Sequence, residues 1–180
     1  MRRLALALFL TAAGAACKRS APAPPKLPKA SQVVVERWRL LKELGPVQSG
    51  LAELETKVFG ATSTDAKMWR GHRVRAQEIV EQAETLIRHH ATDVKWLVVI
   101  RTSSDPGLVD AFIRQANEYA AATRRSAVQL DAIVDRLYGM TRAPRSWTEA
   151  EFREAAARYQ QSREEMRRSG AAMGSLLERI

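Results

Sequence analysis

The stretch that decides the fold runs over residues 103–140 and reads SSDPGLVDAFIRQANEYAAATRRSAVQLDAIVDRLYGM. From Val109 onward, its apolar and small residues recur at alternating steps of three and four. That spacing places them on one stripe of a long α-helix, whereas a strand would show alternation at every second residue. Ser104 or Asp105 is expected to cap this helix, and Pro106 suits its first turn. The stripe consists of Val109, Phe112, Ala116, Tyr119, Thr123, Ser126, Leu130, Ile133, Leu137 and Met140.

The last segment of the chain follows the same pattern. The sequence SWTE at 146–149 predicts a capping box, with Ser146 as the cap and Glu149 bonding back to it. Gly139 and Pro144 predict the end of the preceding helix. The stripe of this last helix consists of Phe152, Ala155, Tyr159, Ser162, Met166, Ser169, Met173, Leu176 and Ile180. Small and polar members of the two stripes predict close helix approach or a polar waist; they are Ala116, Thr123, Ser126, Ala155, Ser162 and Ser169.

Two more helices are predicted upstream. One covers about residues 30–59, with a kink or a break at Gly45 and Pro46, because proline removes a backbone donor and clashes with the preceding turn. The other opens near Asp65 and runs to about Arg101, with an apolar stripe of the same period. Long helices joined by short connections are expected to be antiparallel neighbours. We therefore predict an all-α domain over residues 31–180, folded as an elongated, antiparallel up-down four-helix bundle.

Two segments with other roles precede this domain. Residues 1–16 are typical of a secretory signal peptide, with Arg2 and Arg3 before an apolar run and a small-residue end. The apolar run is about half as long as a bilayer-spanning helix requires. Residues 17–30 are rich in proline, which favours an extended linker that would span roughly 40 Å.

The single cysteine of the chain lies where these two segments meet. Because Cys17 directly follows Ala15 and Ala16, the leader resembles the signal of bacterial lipoproteins. The resemblance implies that the Cys17 thiol carries a diacylglyceryl group, that the leader is cut before it, and that the new amino group is usually acylated. The sequence departs from that family at Gly14, where an aliphatic residue is usual. The alternative is cleavage after Ala15 through the pattern Ala13-Gly14-Ala15, which would leave a free thiol near the new terminus.

The composition of the chain excludes several functional classes but does not identify a function. The net charge of +9 arises mostly from arginine, with 22 of the 29 basic residues, and it favours anionic partners such as lipid head groups or acidic polymers. One cysteine allows no internal disulfide and no cysteine cluster for zinc. No nucleophile elbow, zinc-protease motif or glycine-rich phosphate loop occurs, so no catalytic residue is named, and no cofactor is predicted.

Several residues offer weaker alternatives. His72 and His90 lie on the stripe of the second helix, and His90 with Asp93 has the spacing for one metal ion. Met166 or Met173 opposite a histidine would suit haem, although packing is their usual role. The arginine-rich stretches WRGHRVR (69–75) and MRRSG (166–170) are more typical of a solvent-exposed helix face than of a dedicated anion-binding site. Gly170 and Gly174 have a spacing that permits close packing of helices.

These observations predict a non-enzymatic helical module in the cell envelope. It would be lipid-anchored on the periplasmic side of a membrane, with the outer membrane favoured over the inner. Its expected partner is an envelope protein, and a secreted chain argues against nucleic acid. The alternative is a periplasmic bundle that binds a ligand or cofactor, such as haem, a metal or an anionic lipid.

Overall fold

The computed structural model describes residues 42–61, 65–92, 106–143 and 147–179, without the side chains of residues 90–92, 106 and 177. Within these ranges the fold is all-α and contains four helices. They are α1 (Gly45–Phe59), α2 (Ala66–Thr92), α3 (Pro106–Met140) and α4 (Glu149–Leu177). The predicted leader, Cys17, the linker and residues 31–41 lie outside the described residues, as do Asp93 and the segment 103–105.

Helix α3 is the centre of the core, since it contacts α4, α2 and α1. The predicted stripe lies on its buried side: Phe112, Leu130 and Ile133 are almost fully shielded from solvent. The stripe is wider than the sequence indicates, because a helix with three neighbours buries more than one seam. The additional buried residues of α3 are Ala120, Ala122, Ala127, Val134 and Tyr138.

The predicted polar waist is present, and its hydroxyl groups bond locally. Thr123, Ser126, Ser162 and Ser169 are all buried. The Thr123 hydroxyl donates to the carbonyl of Tyr119 at 2.8 Å, and the Ser126 hydroxyl donates to the carbonyl one turn earlier at 2.9 Å. Serine and threonine satisfy buried hydroxyls in this way without a partner on another helix. These two hydroxyls therefore serve their own helix, and their protons do not point to a ligand.

The Gly45-Pro46 pair ends one segment and starts another. Glu43 and Leu44 form a turn, and α1 begins at Gly45 with Pro46 in its first turn. Proline is tolerated there because the first backbone N–H groups of a helix have no partner within it. Of the two predicted alternatives, a kink or a break, the break fits this region. Helix α1 buries the predicted residues Leu44, Val47, Leu51, Leu54 and Val58 along one side.

Helix α2 opens at Asp65, where the sequence predicts it, and the Asp65 side chain caps it. Its carboxylate accepts a hydrogen bond of 2.9 Å from the backbone N–H of Lys67. Helix α2 then continues to Thr92, and the predicted extension to Arg101 lies outside the described residues.

The predicted cap of α4 at Ser146 is wrong by two residues. The cap is Thr148, whose hydroxyl accepts from the N–H of Glu151 at 3.2 Å, while Glu151 accepts from the N–H of Thr148 at 2.7 Å. The sequence contains two overlapping capping boxes, and only the second places Trp147 just before the cap. There the Trp147 ring packs against Phe152, with ring centroids 5.4 Å apart. This hydrophobic staple stabilises the later start.

Candidate binding cleft between α1 and α4

One carboxylate of α1 contacts three polar side chains of α4. Glu55 on α1 accepts a hydrogen bond of 2.9 Å from the hydroxyl of Tyr159 and one of 2.8 Å from the side-chain amide of Gln160. Arg163 adds an ion pair, with its Nε 3.3 Å from Glu55 Oε2. The side chains of Glu55 and Arg163 are 24% and 20% exposed, which makes this the most shielded ion pair among the described residues. Both carboxylate oxygens of Glu55 therefore have partners within the protein.

Tyr159 holds its proton firmly in this arrangement. Burial is the main cause that raises the pKa of its phenol, and the neighbouring Glu55 charge raises it further. Arg163 opposes the shift without reversing it. Since a buried phenolate beside a carboxylate would be costly, Tyr159 remains a neutral donor to Glu55.

Beside this link, an open cleft of about 700 Å³ lies between α1 and α4. Ser49 and Ala52 line it on the α1 side, and Gly170 lines it on the α4 side. Because these residues are small, they leave the space open. The size falls in the range of about 300–1,000 Å³ that is usual for small-molecule sites.

Tyr119 of α3 also lines this cleft, and Gln48 and Gly170 hold its position. The side-chain amide of Gln48 donates to the Tyr119 hydroxyl. A Cβ at Gly170 would lie 3.1 Å from Cε2 of the Tyr119 ring, a distance that would force the ring to move. Burial raises the pKa of Tyr119, so its hydroxyl stays protonated. Glycine at position 170 is therefore what allows the ring to lie against α4.

Arginines of α4 border the cleft. Glu164 pairs with both Arg167 and Arg168, each at 2.8 Å. Hydrogen bonds from these two guanidinium groups lower the pKa of Glu164 to about 2. Arg167 itself lines the cleft and is 71% exposed, whereas Arg163 lies deeper.

Gly170 and Gly174, whose spacing predicts close packing of helices, lie in different surroundings. Gly170 meets the Tyr119 ring, but a Cβ at Gly174 would have nothing within 4 Å. The predicted role in close packing therefore applies to Gly170.

A second charged cluster lies near the carboxyl end of α3. The Arg73 Nε lies 2.7 Å from Asp135, and the guanidinium groups of Arg73 and Arg142 are 5.5 and 4.7 Å from the centre of the Tyr138 ring. Burial and the charge of Asp135 raise the pKa of Asp131, while Arg73 opposes that shift. These contacts tie α2 to α3 around one aromatic ring.

The other candidate residues occupy different places. The pKa of His72 is lowered, mainly by burial, and its ring meets Trp69 edge-on with centroids 5.5 Å apart. Trp69 is buried, so it does not form an exposed anion site with the neighbouring arginines. Met166 and Met173 are buried as well. The side chain of His90 lies outside the described residues.

Sequence reasoning missed Glu55 and Gln48 altogether. A tyrosine within a core stripe was the available signal, because buried tyrosine hydroxyls usually have a hydrogen-bond partner. Tyr119 and Tyr159 both meet that description. The identity of each partner depends on how α1 lies against α3 and α4.

Within the described ranges, no helix is long and apolar enough to cross a bilayer. The same ranges contain no group of three or more His, Cys, Asp or Glu side chains placed to hold a metal ion. No protein-family model matches the chain, and no curated protein or solved structure shows significant similarity to it.

Proposed function

We propose that this protein is a lipoprotein of the bacterial cell envelope whose helical domain is a non-enzymatic interaction module. Cys17 would carry the lipid on the periplasmic side of a membrane, with the outer membrane favoured. The proline-rich residues 17–30 would set the distance of the domain from the lipid surface. The partner would be another envelope protein.

The interaction role is supported by the contacts that Glu55 makes with α4. A shielded carboxylate within reach of a cleft is a candidate for acid or base chemistry when its oxygens are free to meet a substrate. Here both of its oxygens already accept bonds from side chains of α4, so most of its hydrogen-bonding capacity is used to join the two helices. This arrangement holds two helices at a fixed separation, and the cleft beside it offers a recognition surface.

The domain is proposed to be an antiparallel up-down bundle. In support, contacts between consecutive helices run in opposite order, so that residue numbers rise along one helix as they fall along the next. These pairs are Arg73–Asp135 and Glu84–Arg124 between α2 and α3, and Tyr119–Gly170 and Arg125–Glu165 between α3 and α4.

The anchor is tested by intact mass and membrane fractionation of the mature chain. Lipidation predicts a chain that begins at Cys17, carries acyl mass and remains with membranes after a salt wash. Two or more acyl chains anchor a protein stably, at about 0.8 kcal/mol for each buried methylene. The variant Cys17→Ser should accumulate as an unprocessed precursor.

A matched variant keeps this test specific. Gly14→Leu installs the aliphatic residue usual in lipoprotein signals and should be processed at least as well as the natural chain. A mature chain that begins at Ala16 with a free thiol would overturn the anchor and support ordinary leader cleavage.

A second candidate function is that of a ligand-binding bundle. The cleft of about 700 Å³ between α1 and α4 favours it, because concave sites with a few converging polar groups are typical of small-molecule binding. The two functions are compatible, since a tethered module can present a ligand site.

A further inference from the structure

We infer that the cleft between α1 and α4 binds an oxyanion, the carboxylate or phosphate group of a small organic molecule. This inference rests on the second candidate function and names its ligand class. It follows from which donors and acceptors in the cleft are already used by the protein.

The first donor is the hydroxyl of Tyr119. Its oxygen accepts a hydrogen bond from Gln48, and its proton has no acceptor among the described residues. Burial raises the pKa of this phenol, which keeps that proton in place at neutral pH. A ligand with an acceptor group can therefore take this hydrogen bond.

The second donor is the guanidinium of Arg163. Its Nε lies 3.3 Å from Glu55, while among the described residues its Nη1 reaches only the sulfur of Met166, at 3.9 Å. A thioether is a weak acceptor, so N–H groups of Arg163 remain for an oxygen ligand. A planar guanidinium with two free N–H groups suits the paired oxygens of a carboxylate or phosphate.

The third donor, Arg167, borders the same cleft. Its Nε and Nη2 donate to Glu164, which also pairs with Arg168, and its Nη1 has no partner among the described residues. An anion entering the cleft can accept from this remaining group. Because Arg167 is 71% exposed, a ligand can meet it without displacing buried groups.

The acceptors of the cleft disfavour a cationic ligand. Glu55 accepts from three side chains, and Glu164 accepts from two guanidinium groups. Little acceptor capacity therefore remains on these two carboxylates, whereas N–H groups of Arg163 are left over for an oxyanion. The unused hydrogen-bonding capacity of the cleft favours a ligand that presents acceptors.

The test is a titration of the full chain in a non-ionic detergent with inorganic phosphate and with succinate. Ionic strength is held constant with sodium chloride, and binding is followed by the thermal midpoint and by calorimetry. We expect saturable binding of at least one anion in the millimolar range. The two arms show whether the cleft prefers phosphate or carboxylate.

Two variants and a matched control locate the site. Arg167→Gln should weaken binding about 5-fold, and Tyr119→Phe should weaken it about 5- to 10-fold, by removing one donor each. Arg153→Gln removes the same charge from the same helix, at an exposed arginine whose partner is Glu149. This control should change the dissociation constant less than twofold.

Three results overturn the inference. They are the absence of saturable binding for both anions, equal weakening by Arg153→Gln and Arg167→Gln, and unchanged affinity in both cleft variants. Since Arg167 is exposed, its variant keeps the test valid even where Tyr119→Phe perturbs folding. A lipidated chain that binds neither anion refutes this site alone, whereas an anion-binding chain processed without lipid refutes only the anchor.

Discussion

The hydroxyl of Tyr159 is the group whose removal should show most directly what joins α1 to α4. The substitution Tyr159→Phe deletes one oxygen and keeps the buried ring, including its contact with Phe59 at a centroid distance of 5.9 Å. One oxygen of Glu55 then loses the donor that lies 2.9 Å from it. The change therefore isolates a hydrogen bond from the packing around it.

The size of the effect follows from the shielding of Glu55. A hydrogen bond to an ionised group contributes about 1.5–3 kcal/mol. The Glu55 side chain is 24% exposed and keeps its bonds to Gln160 and Arg163, which places the loss at the lower end. We expect the free energy of unfolding to fall by about 1.5 kcal/mol, which lowers Tm by about 3–6 °C for a chain of this size.

Urea unfolding followed by helical circular dichroism measures this loss on the full chain in non-ionic detergent. The matched control is Tyr138→Phe, since the Tyr138 hydroxyl bonds only the solvent-exposed Arg142 among the described residues. The control should cost less than Tyr159→Phe, because Arg142 is exposed and can bond to water once the Tyr138 hydroxyl is removed. Equal losses in the two variants, or no loss in Tyr159→Phe, would refute the reasoning.

The same substitution should change the dependence of stability on alkaline pH. Because the folded state raises the pKa of Tyr159, its protonated form contributes stability that is fully present below the unfolded value of about 10. That stability is lost as the pH rises above 10 toward the folded value. The difference between the natural chain and Tyr159→Phe should therefore narrow between pH 9 and pH 11, and a constant difference would contradict the raised pKa.

Three further predictions concern the helices. Gly71→Ala should raise the free energy of unfolding by about 0.5–1 kcal/mol, because alanine favours helix and nothing lies within 4 Å of the added carbon. Gly170→Ala should lack this gain, because the added carbon would meet the Tyr119 ring. Equal gains for the two variants in urea unfolding would contradict that contact. Thr148→Ala should lower the free energy of unfolding by about 1 kcal/mol in the same assay, since it removes the cap of α4, and an unchanged midpoint would place the cap elsewhere. Titration by nuclear magnetic resonance should give Glu164 a pKa of about 2. The ionised Glu164 therefore contributes stability above its ordinary pKa, and this contribution is lost as the pH falls through about 2. A measured pKa near 4.5 would contradict the pairing of Glu164 with two arginines.

Features that depend on neighbours along the chain were predictable in this protein. The end of α3 at Met140, the burial of Phe112 and the opening of α2 at Asp65 all follow from spacing and turn chemistry within a few residues. Where two local patterns overlapped, as at the start of α4, the sequence alone did not decide between them. The packing of Trp147 on Phe152 favoured the later cap.

Features that depend on how one helix lies against another were decided only by the tertiary structure. Residue spacing along the chain is enough to predict which residues share a stripe, because a helix repeats every 3.6 residues. It did not determine that Glu55 would meet Tyr159, which follows it by 104 residues, or that Tyr119 would meet Gly170. Such contacts depend on the separation and rotation of packed helices, which are set by the whole core and by no single segment of it. The helical stripes can therefore be predicted from residue spacing, whereas the cleft forms only when the helices pack together.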